Sequence, residues 1–227
     1  MNVAIIVAAG SGTRFGAAQP KQFLEILGKS LIVHTLVKFE SCPTVDEIIL
    51  VLPAGEVGNF QDTIGKYNLR KIVKTIAGGK TRAESVLNGF NWIDSETAEI
   101  VAVHDGARPL VSPEEITKTI EQARETGAAC LVAAVTDTIK EVADGKIVGT
   151  IDRAKLRRAL TPQAFRYEIL KLAFESADAS EAATDECVLV EKIGYEISAV
   201  EGSAKNIKIT TREDAAIVEN FMKQSSF

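Results

Sequence analysis

The chain has 227 residues, of which 46% are hydrophobic and 25% are charged, and its formal net charge is −5 at pH 7. This length is enough for one large α/β domain over residues 1–227, and this composition is ordinary for a globular protein, so a disordered chain is not the default expectation. The acidic balance argues against a nucleic-acid partner, which needs a basic surface, and no apolar run is long enough to span a bilayer.

The first predicted strand, Val3–Val7, runs directly into a glycine-rich loop that carries positive charge. Four small residues of this loop let backbone N–H groups approach a ligand closely: Ala8, Ala9, Gly10 and Gly12. Arg14 and Lys21 add two cations, which suit a triphosphate because negative charge must be neutralised while a bond to phosphorus breaks. We therefore predict that this segment binds nucleotide phosphates.

Three known types of glycine-rich loop compete for this segment. A dinucleotide-binding loop, G-x-G-x-x-G, fails because Phe15 stands where the third glycine belongs. A Walker loop ending at residues 28–30 fails because Phe23 takes the place of its first glycine. The remaining form, A-A-G-x-G-x-R-x-G followed by P-K-Q, is similar to the signature loop of nucleotidyltransferases that activate sugars and polyols. A tight β-to-α turn with an incidental arginine is the plain alternative.

Strands and helices alternate along the rest of the chain. Short, β-branched apolar runs predict buried strands at Glu47–Leu52, Ile72–Ile76, Ile100–Val103 and Cys130–Val135. Helical spacing and N-cap residues predict helices at Leu31–Glu40 after Ser30, at Thr81–Ile93, from Pro113 after Ser112, and at Arg212–Lys223. This order is typical of the α/β class with a single doubly wound, mostly parallel, Rossmann-like sheet, which binds ligands at the carboxyl ends of its strands.

Residues 136–153 interrupt this alternation. Period-two patterns on either side of Asp144 and Gly145 predict an inserted β-hairpin with a tight turn. Because an isolated two-stranded ribbon is only marginally stable in water, the hairpin either folds onto its own domain or packs against a second subunit. We favour a dimerisation arm.

Two further predicted strands end in residues that could contact a nucleotide. Gly79 and Ser85 could meet a planar base, although an ordinary turn and helix start explains them equally well. Asp105 ends a buried strand, and together with a phosphate-binding loop it is a candidate to hold Mg²⁺ on a triphosphate. The alternative for Asp105 is a helix cap or an ion pair with Arg108.

Three motifs predict only structure when each is taken alone. The alternation around Lys208 predicts a solvated strand residue, and residues 184–186 predict a helix N-cap followed by acidic residues. Leu160–Phe165 predicts a turn without chemistry of its own.

The cysteines and histidines exclude some chemistry. Cys42, Cys130 and Cys187 form no C-x-x-C pair, so neither a zinc site nor a redox motif is indicated. Few cysteines and a strand close to the first residue favour a reduced, cytoplasmic setting over export. His34 falls in a helical pattern as a packed or surface residue, so hydrolysis by a catalytic histidine is poorly supported.

Taken together, the motifs closely resemble those of the 2-C-methyl-D-erythritol 4-phosphate cytidylyltransferases of the non-mevalonate isoprenoid pathway. The match covers nearly the whole chain: A-A-G-x-G-x-R, P-K-Q-F, G-G-x-x-R-x-x-S-V, V-H-D-x-A-R-P, D-T-I-K, the Asp-Arg that closes the hairpin, T-P-Q-x-F, T-D-E and N-I-K-I-T. The resemblance implies that CTP and methylerythritol phosphate give CDP-methylerythritol and pyrophosphate, with Mg²⁺, by in-line attack of the substrate phosphate on the α-phosphorus.

The resemblance also implies a role for each matching residue. Arg14 and Lys21 match residues that stabilise the pentacoordinate phosphorus, and Asp105 matches the magnesium-associated aspartate. Cytidine-binding positions are matched by Ala8, Ala9, Gly10, Gly79 and Ser85. Positions that orient the polyol phosphate are matched by Arg153 and Lys208, with Thr138 and Thr184 close by. Since the family's hairpins cross between subunits, the resemblance implies a homodimer with shared sites.

Two other functions stay open at this point. A ribitol-5-phosphate cytidylyltransferase shares the fold and the nucleotide loop, but Lys140 and the pair Asp152-Arg153 favour the methylerythritol enzymes. A nucleotide-binding regulatory protein without turnover would not need cations on both sides of the α-phosphorus.

Overall fold

The structure is a computed structural model that describes residues 1–10, 20–177 and 185–224. Its strands are β1 (Asn2–Val7), β2 (Glu25–Ile26), β3 (Lys29–Ser30), β4 (Glu47–Leu52), β5 (Ile72–Ala77), β6 (Ile100–Asp105), β7 (Ala128–Ala134), β8 (Ile139–Ala143), β9 (Lys146–Ile151), β10 (Arg157–Arg166) and β11 (Ser198–Glu201). Its α-helices are α1 (Leu31–Glu40), α2 (Gln61–Lys66), α3 (Arg82–Phe90), α4 (Pro113–Thr126), α5 (Tyr167–Ser176), α6 (Glu186–Lys192) and α7 (Arg212–Gln224).

Within these ranges, seven strands form one sheet in the order β11-β7-β10-β6-β1-β4-β5. Neighbouring strands run parallel except where β10 pairs antiparallel with both β6 and β7. β1 lies between β4 and β6, and Val7 at its carboxyl end pairs with Val51 on one side and Asp105 on the other. The carboxyl ends of β1, β4 and β6 therefore meet at one edge, where ligands bind in sheets of this class.

Helices cover both faces of the sheet, as the alternation predicts. Apolar side chains of α1 and α4 pack on one face, and those of α3, α5 and α6 pack on the other. The predicted α/β class with a doubly wound, mostly parallel sheet is therefore confirmed. Within the described ranges, no helix is long and apolar enough to cross a membrane.

Local sequence signals place the starts of α1, α4 and α7 correctly. α1 has the predicted bounds, and Ser30 is its N-cap residue, although the Ser30 side chain makes no capping hydrogen bond. At α4, the predicted capping box is present, because the Ser112 hydroxyl accepts from the Glu115 backbone and the Glu115 carboxylate accepts from the Ser112 backbone. These caps satisfy backbone groups that would otherwise lack partners at a helix end.

The predicted turn at Leu160–Phe165 is wrong, because these residues lie in β10 near the middle of the sheet. Pro162 suggests a turn because it has no N–H to give to a neighbouring strand. The strand accommodates it with a shift of register between Ala159 and Gln163 against β7. Residues 160–165 are buried, so their side chains contact neighbouring elements of the domain.

The prediction of a solvated strand around Lys208 is also wrong. Residues 205–210 form an irregular segment in which Asn206 and Ile209 are fully buried. The amide of Asn206 donates to the Thr161 carbonyl at 3.0 Å, and Ile209 packs with Ile26, Leu31 and neighbouring residues. This packing holds the segment against the domain. The predicted regular strand would instead have left Lys208 in solvent.

The predicted hairpin is present. β8 and β9 pair antiparallel in a separate two-stranded sheet, with Val142 opposite Ile147. The turn residues Asp144 and Gly145 have φ of 49° and 73°, as a two-residue hairpin turn with positive φ at both positions requires.

A buried hydrogen-bond chain joins β6 to β10. The Thr161 hydroxyl accepts from the Asp105 backbone N–H at 3.1 Å and lies 3.0 Å from Nδ1 of His104. Nε2 of His104 lies 3.2 Å from the Arg108 carbonyl, which can only accept, so Nε2 carries the proton and Nδ1 accepts from Thr161. Complete burial lowers the pKa of His104 from 6.5 to about 3, so the ring stays neutral. These hydrogen bonds hold the backbone on either side of Asp105 in place.

This burial makes stability depend on pH in a definite direction. The unfolded chain binds a proton at His104 below about pH 6.5, whereas the folded chain does not until about pH 3, so stability falls as the pH drops below 6.5. Between pH 7.5 and 5.5, the unmodified chain should lose about 1.4 kcal/mol more free energy of unfolding than His104→Gln. Urea denaturation with EDTA at both pH values measures this. Equal losses in the two proteins would contradict it.

Candidate active site

Three predicted nucleotide-binding residues meet beside the ends of β1 and β5. A Cβ atom on Gly78 would lie 2.2 Å from Cβ of Ala9 and 2.7 Å from Oγ of Ser85, so only glycine fits between them. The Ser85 hydroxyl accepts from the Gly79 N–H at 3.1 Å and donates to the Thr81 carbonyl at 2.8 Å. This turn presents backbone at the edge where a base could lie, while the buried Ser85 hydroxyl holds the turn together.

Ala8 joins this turn to the end of β6. Its N–H donates to the Val51 carbonyl at 2.8 Å, and a Cβ atom on Gly106 would lie 2.9 Å from the Ala8 Cβ atom. Gly106 is thus required by the close approach of the two strand ends. Gly10 follows in an exposed position with open space around its Cα atom.

Among the described residues, three cations surround the carboxylate of Asp105. Arg82 donates from Nε to Oδ1 at 3.1 Å. Arg108 donates from Nε to Oδ2 at 3.3 Å, and Nζ of Lys208 lies 3.0 Å from the same oxygen. The ion pair with Arg108 was the alternative role for Asp105, and it is present together with two further pairs.

The electrostatics of Asp105 follow from these contacts. Burial opposes ionisation of its carboxyl, but Arg82, Lys208 and Arg108 outweigh burial and hold its pKa well below the ordinary value. Charge-assisted hydrogen bonds of this kind are stronger than neutral ones. Asp105 is therefore an anion that orients three cations at the strand ends.

Lys21 lies next to this cluster. It begins a short 3-10 helix, Lys21–Phe23, and its Nζ donates to the Ile209 carbonyl at 2.8 Å. Ile209 directly follows Lys208, so the structure brings together two of the predicted functional lysines, although they are far apart in sequence. A polyanion bound at the strand ends would face several positive charges.

The residues predicted on the hairpin stems are not bonded to this cluster in the described ranges. Arg153 is exposed and donates to the Thr136 carbonyl, and Thr138 is exposed as well. In the part of the chain that the structure describes, no hydrogen bond or ion pair joins either of them to Asp105 or Lys208. Three further predicted residues, Gly12, Arg14 and Thr184, lie outside the described residues.

Sequence reasoning assigned no role to several residues of the site. Arg82 also binds Glu186 with two hydrogen bonds, at 2.7 and 3.0 Å. Gln163 lies in the segment that was predicted as a turn, and its Nε2 donates to Asp185 at 2.9 Å. The sequence did contain a signal for Arg82 and Glu186. These charged residues lie in the G-G-x-x-R and T-D-E motifs, which are among the motifs that carry the family resemblance.

A magnesium ion, which the resemblance implies, has few candidate ligands here. Within residues 1–10, 20–177 and 185–224, no three His, Cys, Asp or Glu side chains lie together as a metal site would need. Both oxygens of Asp105 already accept from cations. The residues therefore do not fit a metal ion held by the protein alone, and phosphates and water would have to supply most ligands.

Comparison with known proteins identifies the family. The family model described as 2-C-methyl-D-erythritol 4-phosphate cytidylyltransferase matches residues 2–224. The chain is 44% identical to the protein of that name from Alkaliphilus metalliredigens, with 97% of this chain and 92% of the relative covered. It is 41% identical to the one from Bacillus velezensis, with 99% and 97% covered.

Solved structures agree with this result. The 4-diphosphocytidyl-2C-methyl-D-erythritol synthase of Anaerococcus prevotii superposes with a TM-score of 0.85 at 31% identity, and 98% of each chain is covered. The Francisella tularensis 2-C-methyl-D-erythritol 4-phosphate cytidylyltransferase gives a TM-score of 0.79 at 36% identity, with 97% of this chain and 98% of that chain covered. The chain therefore belongs to the 2-C-methyl-D-erythritol 4-phosphate cytidylyltransferase family.

Proposed function

We propose that this chain transfers CMP from CTP to 2-C-methyl-D-erythritol 4-phosphate, giving CDP-methylerythritol and pyrophosphate. The observation that carries this proposal is the meeting of a tight backbone turn at Ala9, Gly79 and Ser85 with the cations around Asp105. The turn suits a nucleoside, and the cations suit the phosphates of two substrates. Full-length similarity to cytidylyltransferases supports the choice of CTP and methylerythritol phosphate.

The reaction needs positioning and charge more than proton transfer. The acceptor phosphate oxygen forms a bond to the α-phosphorus of CTP while the bond from that phosphorus to the bridging oxygen breaks, and pyrophosphate leaves with those electrons. The attacking oxygen is already anionic, so no general base is required. Neutral His104 is engaged in structure, in keeping with this mechanism. Fixed cations lower the barrier by stabilising charge that builds up in the transition state.

Each predicted residue has a place in this scheme. Arg14 and Lys21 would stabilise the α-phosphorus and the leaving group, and Lys208 and Arg153 would hold the acceptor phosphate. Thr138 and Thr184 would complete the acceptor side. The nucleoside would rest on Ala8, Ala9, Gly10, Gly12, Gly79 and Ser85.

A divalent cation, which the family resemblance implies, would arrive with the triphosphate and neutralise part of its charge. Asp105 remains the predicted protein contact for Mg²⁺. To make that contact, it would have to give up one of its cation partners, since both of its oxygens are engaged. None of the steps above depends on the metal ion.

We also propose that the chain works as a homodimer in the cytoplasm. On the hairpin, the exposed fractions of Val142, Ile147 and Val148 are 60%, 68% and 58%. Apolar side chains that are exposed in this way favour contact with a partner subunit over contact with water. Arg153 and Thr138 lie at the base of this hairpin, so a partner could share them. The three cysteines are buried free thiols, which suits a reducing compartment.

The acceptor assay tests the function directly. With CTP and Mg²⁺, pyrophosphate release should be rapid with methylerythritol 4-phosphate and slow with ribitol 5-phosphate. Lys21→Ala should lose about 10²–10³-fold in kcat, because a charge contact made in the transition state is removed. Lys66→Ala, at an exposed lysine on α2, is the matched control and should keep the rate. Faster release with ribitol 5-phosphate would assign the protein to that acceptor instead.

The dimer proposal predicts a linked loss of assembly and activity. Ile147→Lys puts a charge on the exposed apolar side of the hairpin, so the protein should sediment as a monomer at micromolar concentration. Its turnover should fall about tenfold or more, since interface core residues carry much of the binding energy. Val73→Lys, at an exposed valine on β5, should leave both properties unchanged. A fully active monomer would rule out shared sites.

A further inference from the structure

A buried ion pair between Arg82 and Glu186 lies next to the candidate active site, and Glu186 has no role in the scheme above. Arg82 donates from Nη1 to Oε1 of Glu186 at 2.7 Å and from Nη2 to Oε2 at 3.0 Å. The Glu186 side chain is 2% exposed, and the Arg82 side chain is 24% exposed. This is the two-pronged arrangement that an arginine fork forms with a carboxylate.

Arg82 also holds the carboxylate of Asp105, so one side chain bridges two acidic residues. Its Nε donates to Oδ1 of Asp105 at 3.1 Å while its terminal nitrogens hold Glu186. Burial opposes the charge on Arg82, but Glu186 and Asp105 outweigh it and raise the pKa of the guanidinium, which stays charged. Burial also raises the pKa of the Glu186 carboxyl, although Arg82 acts in the opposite direction. A buried pair loses hydration, so its value lies in fixing geometry as much as in stability.

The bridge connects three elements that carry different parts of the site. Arg82 is the first residue of α3, directly after the turn of Gly79 and Thr81. Asp105 ends β6 and holds Lys208 on its other oxygen. Glu186 is the first residue of α6, whose N-cap residue is Asp185. One arginine therefore links the turn at Gly79, where we propose that the nucleoside binds, to Lys208, which we propose holds the acceptor phosphate.

The start of α6 has a second anchor, on β10. Gln163 donates from Nε2 to Asp185 at 2.9 Å, and its Oε1 accepts from the Cys187 N–H at 3.2 Å. Gln163 is 1% exposed, so this contact is shielded from water. The first turn of α6 is therefore held by contacts with two other elements, through Arg82 of α3 and Gln163 of β10.

We propose that Arg82 and Glu186 are a positioning pair for the acceptor: they set the place of Asp105, and through it Lys208, relative to the nucleotide turn. This inference rests on the proposed function. Neither residue needs to touch the reacting atoms. The pair is expected to affect the use of the polyol phosphate far more than the binding of CTP, because the turn at Gly79 and Ser85 has its own hydrogen bonds.

The fork geometry provides a sharp test. Arg82→Lys keeps the positive charge, but an ammonium group cannot hold Glu186 with two bonds and Asp105 with a third. Glu186→Gln keeps the shape and removes the charge. The matched control is Arg124→Lys, since Arg124 also bridges two carboxylates, those of Glu99 and Glu121, but on the surface.

The kinetic experiment compares the three variants with the unmodified chain. Arg82→Lys and Glu186→Gln should each lower kcat/KM for the polyol phosphate about 10–100-fold, as supporting residues commonly do. The Kd for CTP, from calorimetry, should change less than about threefold, a split that a general loss of folding would not give. Arg124→Lys should match the unmodified chain in both measurements.

Hydrogen–deuterium exchange provides a readout that does not depend on the acceptor. In Glu186→Gln without substrates, peptides covering residues 105–109 and 185–190 should exchange faster, while those covering 78–82 should not. Unchanged exchange, unchanged acceptor kcat/KM, or an equal loss of CTP binding would each overturn the positioning role. No turnover of either polyol phosphate by the unmodified chain would contradict the proposed function, and the exchange result would still decide the role of the pair.

Discussion

The site depends on one buried carboxylate that is balanced by three cations. Asp105 ends the strand next to β1, and its partners come from α3, from the loop after β6 and from the irregular segment near the C-terminus. Removing one partner from a buried ion pair costs far more than the pair contributes, because a charge is left without compensation. The three segments are therefore held in one arrangement, and the nucleotide turn, Lys21 and the start of α6 are placed relative to it.

This arrangement explains how an acidic protein can bind two phosphorylated substrates. The net charge of the chain is −5, so attraction to a polyanion must be local. Lys21, Arg82, Arg108 and Lys208 gather at the carboxyl edge of the sheet, while Asp105 and Glu186 neutralise part of their charge. The remaining positive potential is held on elements that already have fixed partners. The cations are thus gathered at this edge before substrates bind, and such preorganised charge is the basis of electrostatic catalysis.

Local patterns predicted much of the fold, and non-local contacts explain the rest. The buried strands, α1, the capping box of α4 and the Asp-Gly hairpin each follow from a signal within a few residues. β10 was missed because Pro162 predicts a turn, and its pairing with β6 and β7 can be seen only in the folded sheet. Similarly, the charge of Lys208 is visible in the sequence, but its partner lies about a hundred residues away. Arg82 and Glu186 belonged to recognised motifs, yet only the structure shows that they meet.

The most direct test of this account is the ionisation of Asp105 in the folded protein without substrates or divalent cations. Its carboxyl carbon can be followed by ¹³C NMR from neutral pH down to about pH 3, with Asp105→Asn to assign the signal. If three cations hold the carboxylate, the signal should show no titration step in this range. A step near the ordinary value of 3.8 would mean that the cations do not surround Asp105 in solution, and the proposed organisation of the site would be wrong.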